Sequence, residues 1–228
     1  MNRAGFTIIE VILFFGVTGL LVAGILASTG SSVNIQRYRD SVTSLQSFLQ
    51  QQYSAAANVS NPRDGNWSCS DNGPVPSGSG ISRGQSDCVM AGRLVTIGSN
   101  GQQLDSYTLV KNSAGKFFMI GVNATESHKM DWDTKISSPN EFVIWVLRDG
   151  TGHIMTYIDQ KTGSVAAILS GKKFSDLLNS SHNSLNDLKM CVDPSGLFSG
   201  SKIAVYISAA ATSGSDVKVL GDAESGCL

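Results

Sequence analysis

The stretch RAGFTIIEVILFFGVTGLLVAGILAS, residues 3–28, sets the architecture of this chain. Its only acidic side chain is Glu10, and no charged residue occurs from Val11 to Gln36. Such a charge-free run is longer than the roughly 20 residues that cross a bilayer as a helix. The segment therefore predicts a membrane-spanning helix, in which Glu10 is unusual because hydrocarbon cannot solvate a carboxylate.

Two other interpretations of this segment are open. A secretory signal peptide has a shorter apolar core followed by small residues at a cleavage site, and ILASTGSS, residues 25–32, offers such a site. A buried core helix of a soluble protein fits less well, because the segment is long and terminal. Arg3 precedes the apolar run, so the positive-inside tendency predicts a cytoplasmic N-terminus, with everything after residue 36 on the other side of the membrane.

The composition allows a sizeable core and gives no charge-based reason to expect a nucleic-acid partner. Of the 228 residues, 41% are hydrophobic and 15% are charged, and the net charge is −1. Nucleic-acid binding relies on clustered Lys and Arg, and the sequence has no such run. We therefore predict a mainly neutral polar surface and no nucleic-acid partner.

The helix is predicted to continue beyond the apolar segment. Apolar residues recur at intervals of three and four, which indicates one buried helical stripe, at Tyr38, Val42, Leu45, Leu49, Tyr53 and Ala56. The predicted outer face carries Arg37, Arg39, Asp40, Gln46 and Gln50 to Gln52. A single helix from Phe6 to about Ala57 would be about 75 to 80 Å long. The glycines at 16, 19, 24 and 30 are positions where it could bend.

A long polar loop and a β-rich region follow the predicted helix. Residues 58–88 hold three of the five prolines and no apolar periodicity, which predicts a loop. Short apolar runs separated by turn residues then predict strands in RLVTIG, SYTLVK, KFFMIGV, FVIWVLR, HIMTYID, SVAAIL, KIAVYISA and DVKVL. A meander from Phe142 to Leu169 is the clearest of these, with RDGTGH and DQKTG as its turns. Residues 174–190 have mixed leucine spacing that favours a short helix.

The four cysteines lie beyond the apolar segment, which agrees with an oxidising location. An even set of this kind predicts disulfides, and three pairings of Cys69, Cys88, Cys191 and Cys227 are possible. Locality favours Cys69–Cys88, which would close the polar loop, and Cys191–Cys227, which would tie the C-terminus to the sheet. The cysteine spacing and the distant histidines predict no zinc site.

Few residues indicate catalysis. His128, His153 and His182 are scattered through the sequence, and each is predicted to lie at the surface. Asp131 and Asp133 are too few to form a calcium loop. We predict no catalytic residues, no metal site and no cofactor.

The residues AGFTIIE, 4–10, resemble the processing site of type IV pilins and the related secretion pseudopilins. In that family a short basic leader ends in Gly, a membrane peptidase cuts after it, and the new N-terminal residue, usually Phe, is N-methylated. Here the leader would be residues 1–5, with cleavage after Gly5, methylation of Phe6, and Glu10 at the fifth mature position. One departure is that many pilins have Pro in the membrane half of the helix, and this segment has none.

The resemblance implies an α+β, pilin-like fold, in which one N-terminal helix lies half in the membrane and half on an antiparallel β-sheet domain. The late cysteine pair is similar to the disulfide-bounded C-terminal region of that family. The implied division of the chain is a leader at 1–5, a helix at 6–57 with an apolar half at about 6–30, a polar loop at 58–88 and an extracytoplasmic β-rich domain at 89–228.

The resemblance also implies a role for Glu10. Cleavage after Gly5 would create an ammonium group on Phe6, which Glu10 of a neighbouring subunit would bind. An ion pair is stronger in a dry environment than in water, and an unpaired buried charge is costly. Glu10 is therefore predicted to set assembly and register. The alternative is that its carboxylate extends to the cytoplasmic headgroups.

The resemblance implies a structural subunit of a type IV pilus or pseudopilus, and the length of 228 residues favours a minor pilin or pseudopilin. Its partners would be other pilin subunits, the prepilin peptidase, the assembly machinery and, before assembly, the cytoplasmic membrane. It would span that membrane once and later lie in an extracellular pilus at the cell surface. The alternatives are a tip-located binding subunit, serving adhesion, DNA uptake or secretion, and a membrane-anchored extracytoplasmic enzyme.

Overall fold

The computed structural model is an α+β structure in which one long helix packs on antiparallel sheets. The structure describes residues 7–58, 67–70, 73–76, 89–120, 123–138, 141–160, 163–170, 187–197, 200 and 202–227.

Helix α1 spans Ile8–Ala57 and is therefore about 75 Å long. It begins after Thr7, so its first helical residue is two positions later than predicted. The helix is continuous through all four glycines at which a bend was considered. The backbone N–H of Asn58 donates to the Ser54 carbonyl at 2.8 Å and ends the helix in an extended residue.

The strands form three separate sheets, and every described strand pairing is antiparallel. The strands are β1 (Trp67–Ser70), β2 (Gly73–Pro76), β3 (Val89–Ile97), β4 (Gln103–Lys111), β5 (Phe117–Met119), β6 (Glu126–Lys129), β7 (Lys135–Ser138), β8 (Val143–Arg148), β9 (Ile154–Asp159), β10 (Leu188–Asp193), β11 (Ala204–Ile207) and β12 (Val217–Leu220). Two short helices, α2 (Val165–Ser170) and α3 (Asp222–Ser225), complete the described elements, with 3-10 turns at Asp131–Asp133 and Gly214–Asp216.

The larger sheet has the order β5-β4-β3-β8-β9, and β6 pairs with β4 beside β5. The second sheet has the order β12-β11-β10-β7, and β1 and β2 form a hairpin. Helix α1 contacts strands of both larger sheets, so its second half lies over the seam between them.

The predicted apolar stripe of α1 is confirmed as its buried face. All six of its residues, from Tyr38 to Ala56, are at most 5% exposed. They form one core with apolar residues of both larger sheets, including Ile144 and Val205. A second core covers the opposite face of the larger sheet, where Trp145 packs with Ile168 and Leu169 of α2.

Gln52 was assigned to the outer face of α1, and that assignment is wrong. Its side chain is 0% exposed, because it hydrogen-bonds groups on the sheet below the helix. Gln46 and Gln50 are half-buried, and the side-chain amides of both donate to the Val217 carbonyl of β12.

The segment SVAAIL was predicted as the third strand of a meander, and it instead forms α2. The β8–β9 hairpin of that meander is confirmed. Ser164 begins the helix, because its hydroxyl accepts from the Ala167 N–H at 3.3 Å and its carbonyl from the Ile168 N–H at 3.0 Å. The helical turn places Ile168 and Leu169 together against the second core.

Three further differences concern segments with weak apolar patterns. Within the region 58–88, which was predicted to be a loop, the described residues include the paired strands β1 and β2. The end of the segment predicted as a helix over 174–190 is strand β10, from Leu188, while residues 174–186 lie outside the described part. The edge strands β6 and β7 were not predicted, because ESHK and KISS carry no apolar alternation.

Candidate functional site

The first half of α1 presents a continuous apolar surface. Thirteen of the seventeen exposed large apolar side chains of the described residues lie between Ile8 and Leu26. By length and composition, α1 can cross a membrane. The second half of the same helix is packed on the sheets, so the apolar half is rigidly joined to the folded domain.

Glu10 has a hydrogen-bonding partner at the start of this helix. Its carboxylate accepts from the backbone N–H and the hydroxyl of Thr7, both at 2.9 Å. In return the Glu10 N–H donates to the Thr7 hydroxyl at 3.4 Å, which completes a capping box. A carboxylate in this position also interacts favourably with the positive end of the helix dipole. Sequence analysis missed this contact, although Thr-x-x-Glu before an apolar run is its known signal.

Gly5 and Phe6, the predicted cleavage and methylation residues, lie outside the described residues. Their proposed roles therefore stay predictions. The described chain begins at Thr7, so the capping box shows only that Glu10 lies in the first turn of the helix.

Buried hydroxyl groups attach α1 to both sheets. The Tyr38 hydroxyl donates to the Val192 carbonyl at 2.7 Å and accepts from the Ile203 N–H at 2.6 Å. The Tyr53 hydroxyl lies 2.8 Å from that of Thr156. Directional contacts at both ends of the packed half fix the rotation and axial position of α1. Sequence analysis placed both tyrosines on the buried stripe and did not predict their hydrogen bonds.

A buried polar cluster lies between these two attachments. The Gln52 amide oxygen accepts from the Ser106 hydroxyl at 2.6 Å, and its nitrogen donates to Glu126 at 3.0 Å. Arg93 approaches the other oxygen of Glu126 at 3.9 Å. Burial lowers the pKa of Arg93, and the carboxylate of Glu126 acts in the opposite direction. The cluster gives α1 a polar contact with β3, β4 and β6.

His128 was predicted to lie at the surface, and the structure corrects this. Its ring stacks on Phe48 of α1 with centroids 5.0 Å apart. Burial lowers the pKa of the imidazole, and nearby Asp131 acts in the opposite direction. His153 does lie at the surface, with 82% of its side chain exposed. His182 lies outside the described residues.

The Cys191–Cys227 disulfide is present and ties the C-terminal end of the chain to β10. The Cα atoms of the pair are 5.7 Å apart, across a sequence separation of 36 residues. The side chain of Cys69, and Cys88 altogether, lie outside the described part of the chain, so the Cys69–Cys88 pairing stays a prediction.

Asp131 and Asp133 flank a strained turn whose central residue, Trp132, sequence analysis did not single out. Trp132 and Asp133 both have φ of 57°, although neither is glycine. Left-handed conformations of this kind cost about 1 to 3 kcal/mol each and persist where the surroundings hold them. The indole is 51% exposed, and the Arg37 guanidinium lies 4.6 Å from its centroid. A bulky residue with positive φ is only visible in the structure, so no sequence signal was available.

Comparison of the chain with protein-family models, curated proteins and solved structures found no match. Among the described residues, no group of three or more His, Cys, Asp or Glu side chains could hold a metal ion. The candidate site consists of an exposed apolar half-helix, a carboxylate at its start, and a folded domain packed on the second half of the helix.

Proposed function

We propose that this chain is a structural subunit of a type IV pilus or a related pseudopilus. The first half of α1 would hold it in the cytoplasmic membrane before assembly and would form part of the filament core afterwards. One observation carries the proposal: a single helix has an exposed apolar half, with Glu10 in its first turn, and a second half that is buried on antiparallel sheets.

The division of α1 suits a subunit that moves between two apolar surroundings. An exposed apolar surface of this length is costly in water, so it needs either lipid or other subunits around it. The packed half keeps the folded domain attached in both situations. A helix that served only as the core of a soluble domain would be buried along its whole length.

Glu10 supplies the contact that would determine register in the filament. Cleavage after Gly5 would leave an ammonium group on Phe6, one turn before Glu10 in the sequence. The carboxylate of one subunit would then pair with the ammonium group of its neighbour, in surroundings where such a pair is stronger than in water. Its present hydrogen bonds with Thr7 leave lone pairs free for this partner, because a carboxylate has about four acceptor sites.

The proposal is tested first by the intact mass of protein extracted from membranes. We expect a mature chain that begins at Phe6 with one additional methyl group on its N-terminus. A Gly5→Leu variant should keep the full-length mass, because a bulky residue at the cut would block the peptidase. A wild-type mass that begins at Met1, or after Ala27 to Thr29, would refute the pilin proposal and favour a simple anchor or a secretory signal.

Within this proposal the chain is a minor subunit, since 228 residues is long for a major pilin. Immunogold labelling of sheared filaments locates it: sparse labelling along the filament supports a minor structural subunit, and dense uniform labelling contradicts it. Labelling confined to the tip would favour the alternative of a binding subunit.

A further inference from the structure

The charge-free segment of α1 matches the thickness of a complete bilayer. Glu10 and Arg37 are the charged residues on either side of it. Along a helix they are about 40 Å apart, and a bilayer with its headgroup layers is about 40 to 45 Å thick. When this segment crosses the membrane, Glu10 and Arg37 therefore lie in opposite headgroup layers.

Trp132 of the folded domain lies beside Arg37 and therefore at the same depth in the membrane. Its guanidinium lies 4.6 Å from the ring centroid of Trp132, so the indole lies at the level of the outer headgroups. The turn that carries Trp132 is attached to α1, because the buried hydroxyls of Ser41 and Thr134 are 2.6 Å apart. The position of the indole relative to the membrane segment is thus set by the fold.

The backbone of this turn keeps the indole outside the core. Trp132 has φ of 57° and ψ of 34°, and Asp133 again has positive φ. Thr134 holds the turn closed, because its N–H and hydroxyl both donate to the Asp131 carbonyl, at 3.2 and 2.8 Å. Strain of this kind is common at ligand-binding positions, where the surroundings maintain a conformation that the residue does not favour.

We propose that Trp132 and Arg37 form an interfacial anchor, which contacts the outer phospholipid headgroups and fixes the orientation of the folded domain on the membrane. This proposal depends on the membrane-inserted state that the proposed function assigns to the chain before assembly. Tryptophan is enriched at this depth, because its ring prefers the apolar boundary while its N–H stays near water. Arg37 donates to lipid phosphate from the same position, since a guanidinium binds phosphate through two parallel hydrogen bonds.

The surrounding charges indicate which lipids are needed. Exposed charged residues that neighbour Trp132 or Arg37 in the sequence, or belong to the adjoining strands, are Arg39, Lys129, Lys135, Asp40, Asp131 and Asp133. Three are positive and three are negative, so the patch has no strong net charge. The anchor should therefore form on zwitterionic phosphatidylcholine nearly as well as on anionic phosphatidylglycerol.

The test uses the full chain in lipid vesicles that carry a nitroxide either on the headgroup or at the end of the acyl chain. Flotation with the vesicles first establishes that the chain is inserted. The difference in tryptophan emission between wild type and Trp132→Phe isolates Trp132, because Trp67 and Trp145 are common to both. We expect the headgroup nitroxide to reduce the Trp132 emission at least twofold more than the acyl-chain nitroxide does. The result should be the same in phosphatidylcholine and in phosphatidylglycerol vesicles.

A matched control moves the tryptophan to the opposite end of the folded domain. Val89 is 54% exposed and lies beside Arg148, whose guanidinium donates to the Ala57 carbonyl at the far end of α1. The helix between Arg37 and Ala57 is about 30 Å long. In the Trp132→Phe/Val89→Trp variant, neither nitroxide should reduce the emission of the introduced tryptophan.

The outcomes separate the anchor from the proposed function. Floated chains in which Trp132 is quenched no more than the tryptophan at position 89 would refute the anchor and leave membrane insertion intact. If the Trp132 emission changes with the number of chains per vesicle and not with the nitroxide, the Trp132 surface contacts a second copy of the chain. That result would also refute the anchor. Failure to float would refute insertion and the anchor together. A mature chain that keeps the apolar segment but does not begin at Phe6 would refute the pilin proposal alone, whereas one that begins after Ala27 to Thr29 would have lost that segment and would refute insertion and the anchor as well.

Discussion

At the start of α1, the Glu10 carboxylate accepts two hydrogen bonds from Thr7. Thr7 is neutral, so these bonds orient the carboxylate and leave its negative charge uncompensated. A partner of opposite charge is therefore still needed wherever this turn is removed from water. The two roles of Glu10, helix capping and the proposed pairing with a neighbouring subunit, can be separated by mutation.

Glu10→Gln should leave the chain folded and inserted in the membrane but should reduce its entry into filaments. Insertion should not suffer, because the substitution removes a charge from an apolar segment. Pairing with the neighbouring ammonium is lost, and an unpaired buried charge is strongly destabilising, so we expect at least roughly tenfold less mutant protein in sheared filaments. Immunoblots of membrane and filament fractions measure this.

Thr7→Val is the matched control, since it removes the capping hydroxyl and keeps the Glu10 charge. We expect near-normal filament entry for this variant. Should Thr7→Val reproduce the Glu10→Gln defect, the role of Glu10 would be capping, and the pairing proposal would be contradicted.

Gln52→Ala should destabilise the folded domain by about 1 to 3 kcal/mol, because it leaves buried hydrogen-bonding groups without their partner. The Ser106 hydroxyl loses its acceptor, and both side chains are 0% exposed. Gln51→Ala is the control, since the same residue type one position earlier is exposed and should change stability by less than about 0.5 kcal/mol. Urea unfolding of the detergent-solubilised chain compares them, and equal effects would contradict the assigned role of the cluster.

At the scale of elements, the contact between α1 and β6 includes a titratable ring. His128 of β6 stacks on Phe48 of α1, and burial holds its pKa below the usual value. As the pH falls, His128 therefore takes up a proton in the unfolded chain, at about pH 6.5, before it does so in the folded chain. Stability contributed by the neutral ring is complete above that pH and is lost towards the lower pKa of the folded chain.

We expect the thermal midpoint of the wild-type chain to fall between pH 7.5 and pH 5, and to fall less in His128→Gln. The control His153→Gln changes a histidine whose side chain is 82% exposed, so it should keep the wild-type dependence. Carboxylates contribute mainly at lower pH; the pKa of Asp149 is lowered to about 2, chiefly by the hydrogen bond from the Thr151 hydroxyl. An unchanged pH dependence in His128→Gln would contradict this account.

At the scale of the whole molecule, the hydrophobic core begins well inside α1. Tyr38 is the first core residue along the described chain, and the large exposed apolar side chains of α1 all precede it. The folded domain therefore does not depend on the first half of its own helix. Stability and membrane insertion are carried by different halves of one continuous element.

A chain that lacks residues 1–28, produced under oxidising conditions, should be soluble and as stable as the full chain to within about 0.5 kcal/mol, because no core contact is lost. A chain that lacks residues 1–42 also loses the core residues Tyr38 and Val42 and the Ser41–Thr134 contact. It should be less stable by at least about 3 to 5 kcal/mol, the usual cost of removing a large buried aromatic side chain alone. Urea unfolding in one detergent compares all three chains, and equal midpoints for the two truncated chains would contradict the assigned core.

The sequence by itself determined the features that depend on local periodicity. The apolar run and the stripe from Tyr38 to Ala56 predicted one continuous helix, because a helix repeats its exposure every 3.6 residues. The β8–β9 hairpin followed from two apolar runs and the turn residues between them. Such patterns need only near neighbours in the chain, so they can be recognised without the fold.

The tertiary structure alone decided which polar residues are buried and which turns are strained. Gln52 is buried because Ser106 and Glu126, distant in sequence, lie beneath it. The segment SVAAIL becomes α2 because the sheet offers a core that Ile168 and Leu169 can cover from a helical turn. Trp132 is held in a left-handed turn by contacts around Thr134 and Ser41. In each case the favourable free energy comes from contacts between residues that are distant in the sequence and meet only in the folded chain. A local sequence pattern therefore cannot predict these contacts.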